Sequence, residues 1–199
     1  MPSAARPLDH GWVMRRPKIG MRFGRWLPAA FAVVALTCPA GPAEAQLRVA
    51  TWNISNYDGG RDQELQTSVY GVNPGNGLSM SPDVLIVQEV LSAGALFDLR
   101  DILNDAPDSP GDWAAAPFVD GNDTDSGLLY RTGTVEFLGL TVVSPGASAP
   151  QHPRNVMRYD ILVLGQPEEL GTIACYSTHM KSGTTPQDQD RRLLEAEAI

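Results

Sequence analysis

Three polar residues stand where runs of strand-forming residues end. Asn53 closes Thr51-Trp52-Asn53, Glu89 closes Pro82-Asp83-Val84-Leu85-Ile86-Val87-Gln88-Glu89, and His179 closes Ser177-Thr178-His179. The unbroken apolar run Val84 to Val87 suits a strand buried on both faces. A carboxylate at the lip of such a strand is either exposed by the next loop or paired with a cation, because an unpaired charge beside a core is costly. If the three strands share a sheet direction, Asn53, Glu89 and His179 meet at one rim. One carboxylate can anchor a hard cation such as Mg²⁺ that keeps its waters and takes phosphate oxygens. A nearby amide can then orient a phosphate oxygen or a metal-bound water. An imidazole can donate to a phosphoryl oxygen as charge builds there, and Lys181 follows on the same side if the strand geometry persists. Taken singly, each residue has an ordinary reading: a hydrogen-bonded histidine, a turn-forming asparagine, a solvent-facing glutamate.

The elements that must position these groups follow from hydrophobic period and turn chemistry. Leu47 to Ile54 reads as a first strand, followed by a polar, Gly-closed loop through Gly60 and a short helix from Arg61 to Tyr70. Ser92 reads as the N-cap of a helix to about Asn104, with Leu96, Leu99, Ile102 and Leu103 as its buried stripe. Strands are expected over 113–119, 127–131, 135–143, 159–164 and 172–178, and a final helix from Pro186 with Leu193, Leu194 and Ala198 at helical spacing. Many strands and few helices imply a mixed α/β fold of the α+β kind, a layered sandwich rather than a doubly wound sheet. No Gly-rich nucleotide-binding loop occurs.

Composition bounds the rest. Arg15, Arg16, Lys18, Arg22 and Arg25 precede an apolar run from Leu27 to Ala35 and the triplet Ala43-Glu44-Ala45. This is the pattern of a secretory signal peptide over residues 1–45, cleaved before Gln46, which implies a secreted or periplasmic protein with no stable membrane anchor after cleavage. Six of the 15 basic and two of the 23 acidic residues lie in this segment, leaving nine basic against 21 acidic and a net charge of −12. So acidic a body has no broad electrostatic footprint for nucleic acid or anionic lipid, although a bound cation could still attract phosphate. Cys38 leaves with the segment, so Cys175 has no intrachain disulfide partner and reads as a small core residue.

Together with their neighbours, these residues resemble a known superfamily. Arg48-Val49-Ala50-Thr51-Trp52-Asn53-Ile54, the Pro82 to Glu89 run and Tyr176-Ser177-Thr178-His179-Met180-Lys181-Ser182 are similar, in order and spacing, to the first three signature blocks of the endonuclease/exonuclease/phosphatase superfamily. Gly127-Leu128-Leu129-Tyr130-Arg131 resembles its central strand. The resemblance implies the four-layer α/β sandwich of deoxyribonuclease I-like proteins and a metal-dependent phosphoester hydrolase, of nuclease, phosphodiesterase or phosphatase type. Mg²⁺ is the implied cofactor, with Mn²⁺ or Ca²⁺ as alternatives; the substrate would be a nucleic acid, a phospholipid or a small organic phosphate. By the same resemblance Glu89 would be the Mg²⁺ ligand, Asn53 would lie beside metal and scissile phosphate, and His179 would stabilise the transition state. Arg158 would contact phosphate, with Arg154 as its competitor. Ser55 stands where some nucleases of the group have an Asp. The family's later Gly-Asp-x-Asn and Ser-Asp-His turns do not occur in the sequence. The expectation is therefore that residues 46–199 form the N-terminal part of such a domain, truncated before its C-terminal strands and inactive as given. The alternative is a non-catalytic secreted domain that binds phosphate-bearing ligands or a partner protein.

Overall fold

The computed structural model describes residues 46–199, apart from the side chains of Glu168 and Leu170. The signal peptide expected over residues 1–45 lies outside the described residues. The apolar run becomes β2 (Val84–Val90), and its period-two alternation divides the molecule. Leu85 and Val87 face a helical layer made by α1 (Asp62–Tyr70) and α2 (Ala93–Asn104), where Leu65, Val69, Leu96, Leu99 and Leu103 are buried with them. Val84 and Ile86 face the other way, into a core shared with Met157, Tyr159, Ile161 and Cys175 of a second sheet. Cys175 is accordingly a buried free thiol.

The first sheet has the order β1-β2-β4-β3, formed by β1 (Val49–Tyr57), β2, β4 (Asp125–Arg131) and β3 (Trp113–Ala115). The second has the order β5-β6-β7, formed by β5 (Val135–Ser144), β6 (Val156–Val163) and β7 (Thr172–Ser177). A four-residue turn of helix, α3 (Glu168–Gly171), precedes β7, and α4 (Pro186–Glu197) follows it. Two sheets and separate helices make the described chain mixed α/β, of the α+β class.

Several boundaries differ from the sequence expectation, each for a tertiary reason. Asp125 and Ser126 look like turn residues, yet they pair with Val90 and Gln88 and so extend β4. β6 begins at Val156 rather than Tyr159, because Val156 to Arg158 pair with β5 and Met157 and Arg158 also pair with β7. α2 starts where expected, with the Ser92 hydroxyl accepting from the Ala95 N–H at 3.1 Å. α4 is opened by a Thr185–Asp188 capping box. Its expected apolar stripe is overturned: Leu193 and Leu194 are exposed, and Glu195 is the helix's buried residue.

Candidate functional site

β1 and β2 are parallel, with Asn53 opposite Gln88, so the two strands bring Asn53 and the Gln88-Glu89 pair to the same rim. Beyond that pair both backbones leave regular geometry. Ser55, Asn56 and Glu89 have φ of 57°, 49° and 63°, a left-handed conformation that side-chain-bearing residues adopt at a cost. The register shift it produces lies between Gln88 and Val90 on one side and between Asn53 and Tyr57 on the other. It turns the Glu89 side chain out of the alternation that would have paired it with β4.

Glu89 gains three neighbours there. The Asn53 side-chain NH₂ donates to its Oε1 at 2.9 Å, and the Asn56 backbone N–H donates to its Oε2 at 3.0 Å. The His179 Nε2 lies 3.5 Å from Oε1. The amide of Asn53 is oriented by the Ser55 N–H, which donates to its Oδ1 at 2.9 Å. His179 reaches this rim because the end of β7 is stitched to the first sheet. Ser177 Oγ donates to Ser126 Oγ at 2.8 Å, and the Gln88 side-chain amide donates to Thr51 Oγ1 at 2.9 Å and to Ser177 Oγ. Asn53, Glu89 and His179, named from the sequence, therefore come together.

Arg158 does not join them. β6 alternates, and Met157 and Tyr159 point into the core between the sheets, so Arg158 lies on the outer face. There it pairs with Asp160 at 2.8 Å and lies over the ring of Tyr176. The cation beside the site is Arg154, from the loop before β6. Its Nη2 pairs with Asp123 at 3.1 Å, its Nε donates to Thr124 Oγ1 at 3.0 Å, and its Nη1 donates to the His179 carbonyl. His152 holds this loop in place. Its Nδ1–H donates to the Arg154 carbonyl at 2.8 Å, which leaves Nε2 to accept from the Ser144 hydroxyl at 2.7 Å. Lys181 also turns away: β7 ends at Ser177, and the Lys181 ammonium pairs with Asp188 at 3.2 Å.

These contacts set the charge states. The Asn53 hydrogen bond holds the Glu89 carboxyl below the usual range; burial opposes it, while the Asn56 N–H, His179 and Arg154 reinforce it. Burial, and then the Arg154 charge, push the His179 imidazole below its ordinary value, against the pull of Glu89, Glu195 and Asp123. At neutral pH the pair is a carboxylate beside a neutral imidazole.

The donor set fits a hard divalent cation held through one carboxylate. Glu89 is ionised and partly exposed, and Asn53 presents an oriented amide next to it. Mg²⁺ needs no more from a protein when water and phosphate complete its shell. Among the described residues, no group of three or more His, Cys, Asp or Glu side chains could hold a metal by themselves.

Asp125, opposite Val90, is the residue whose environment the sequence did not announce. It is 4% exposed, and neither carboxyl oxygen has a well-aligned hydrogen-bond partner. Burial raises its pKa to about 6, against the pull of the Gly121 backbone N–H and with added repulsion from Asp120 and Asp123. A carboxyl raised in the folded state favours folding in its protonated form. Its contribution is complete below the unfolded value near 4 and is lost as pH rises through about 6. Asp125→Asn is expected to stabilise the protein at pH 7.5 by roughly 1–3 kcal/mol and to have little effect at pH 4. Urea midpoints at the two pH values measure this.

No protein-family model matches the chain, and no curated protein matches it significantly in sequence.

Proposed function

We propose that this protein is an exported, Mg²⁺-dependent phosphoester hydrolase of the endonuclease/exonuclease/phosphatase kind, built on the deoxyribonuclease I-like four-layer sandwich. The observation that supports the reading best is the Asn53–Glu89–His179 cluster, in which Glu89 Oε1 takes the Asn53 amide at 2.9 Å and faces His179 Nε2 at 3.5 Å. Glu89 is the residue that would hold the cation, with Asn53 beside it. When bound, the cation would supply positive charge against the transferring phosphoryl group. Asn53 keeps one N–H of its amide on Glu89 and has a second to direct at a phosphate oxygen. His179 is neutral at pH 7 and donates an N–H toward charge developing on phosphorus-bound oxygen. Arg154 keeps a permanent positive charge nearby and holds the His179 backbone. The substrate is a nucleic acid, a phospholipid or a small organic phosphate.

The test is a substrate panel run on the chain with Mg²⁺ and with chelator: plasmid DNA, phosphatidylcholine vesicles and bis(p-nitrophenyl) phosphate. General-base activation is worth about 10²–10⁴-fold, and the turns that supply it in the resembled family do not occur in this sequence. Mg²⁺ uptake is therefore followed beside turnover. Saturating Mg²⁺ at tenfold its Kd should stabilise the fold by about 1.4 kcal/mol, and chelator should reverse this. The absence of both Mg²⁺ stabilisation and metal-dependent turnover, on every substrate of the panel, would refute the hydrolase. Phosphate-ester binding without turnover or metal response would instead support a non-catalytic domain for phosphate-bearing ligands.

A further inference from the structure

α4 buries the wrong residue for an ordinary amphipathic helix. Glu195 is 0% exposed, while Leu193 and Leu194 beside it are open to solvent. Burying a carboxyl in preference to leucine is costly unless the group is engaged, and the engagement is specific. Glu195 Oε2 accepts the backbone N–H of Lys181 at 2.8 Å. Three residues earlier on the same helix, and hence on the same face, Arg192 Nη1 donates to the carbonyls of Lys181 and Gly183, each at 2.8 Å. Both polar groups of one residue's backbone are thus taken by two side chains of one helix. That residue lies two positions after His179, whose own carbonyl accepts from Arg154. The segment between carries the imidazole, and its Nδ1 is buried without a hydrogen-bond partner, as is Glu195 Oε1. Among the described residues, the polar partner facing the ring is Glu89, whose Oε1 lies 3.5 Å from Nε2.

We propose that Glu195, with Arg192 one turn before it, is a positioning residue: the pair clamps the Lys181 backbone and so sets the stance of His179 against Glu89. The activity arm of this inference rests on the proposed hydrolase; the structural arm does not.

The experiment compares Glu195→Leu, which removes the acceptor from an already enclosed position, with Glu195→Gln, which keeps a carbonyl oxygen for the Lys181 N–H. Amide hydrogen exchange at Lys181 should quicken about tenfold in Glu195→Leu and stay within roughly threefold of wild type in Glu195→Gln. Turnover, where wild type shows it, should fall 10–100-fold in kcat for Glu195→Leu with KM little changed, and be rescued in Glu195→Gln, with approximate magnitudes for a misplaced group. Arg192→Met, which releases the carbonyl side only, should also quicken exchange at Lys181, and serves if Glu195→Leu does not fold. Unchanged exchange at Lys181 in the folded variants would overturn the clamp, as would Glu195→Gln behaving like Glu195→Leu. A wild type with no turnover or metal response would sink the hydrolase while leaving the exchange result to decide the clamp.

Discussion

Glu89→Gln is expected to remove the Mg²⁺ response of this protein and to lower metal-dependent phosphoester hydrolysis by about 10²–10³-fold, the scale seen when one electrostatic group is taken from a transition-state site. The substitution is nearly isosteric, and one oxygen can still accept from the Asn53 amide or the Asn56 N–H, so the loop should keep its shape. What disappears is the charge. The native carboxyl is held below its usual pKa chiefly by the Asn53 hydrogen bond, so it is ionised at pH 5. A depressed carboxyl stabilises the fold above its unfolded value, and this contribution is lost as pH falls through the folded one. Metal dependence should therefore persist at pH 5 in the native protein and be missing at every pH in the variant. Mg²⁺ titrations followed by thermal unfolding and by bis(p-nitrophenyl) phosphate hydrolysis read both effects. A variant whose Mg²⁺ dependence matches the native protein would remove Glu89 from the metal site.

His179→Asn should lower kcat by about 10²–10³-fold and leave KM within a few-fold, because the imidazole's donor matters most when charge has developed. Its pH signature has the same sign as that of Glu89 but falls in a higher pH window, below the ordinary histidine value. Burial and Arg154 hold the imidazole below its ordinary value, so the folded state binds its proton less readily than the unfolded chain. Stability then rises with pH across the interval between the folded value and about 6.5, and is lost as pH falls through that interval. His179→Asn should flatten this part of the stability profile and erase any acid limb it causes in the rate profile. Chemical denaturation at pH 5 and pH 7.5, with kcat measured over the same range, decides it. A variant with native kcat would show that the histidine is only a neighbour of the carboxylate.

The legible parts of the fold were those written in period. Val84 to Val87 is continuous and apolar because it is covered on both sides, by helices and by the second sheet. The α2 stripe and the Ser92 cap are local patterns, and the helix they describe is present. Asn53, Glu89 and His179 could be named because each follows a strand-forming run, although β1 continues past Asn53 to Tyr57 and β7 stops at Ser177, before His179.

What escaped was set by choices no local pattern records. Whether Arg154 or Arg158 faces the site depends on where β6 begins, and its pairing with both neighbours moves that start to Val156. One residue of register puts Arg158 on the outer face, where Asp160 takes it. The burial of Glu195 rather than Leu193 and Leu194 depends on which face α4 turns to the β7 loop, since a leucine pair and a glutamate fit the same helical spacing. Nothing in Asp125 marks it as buried; the register opposite Val90 does so.

The sequence alone determined most strands, the main helices and the three polar residues that meet at the rim, because period, caps and turn chemistry are local properties. Only the tertiary structure decided how Glu89 is aimed, which arginine attends it and what holds His179. Those depend on left-handed turns at Ser55, Asn56 and Glu89 and on contacts between residues far apart in the chain. Such contacts form only after the sheets have chosen their register.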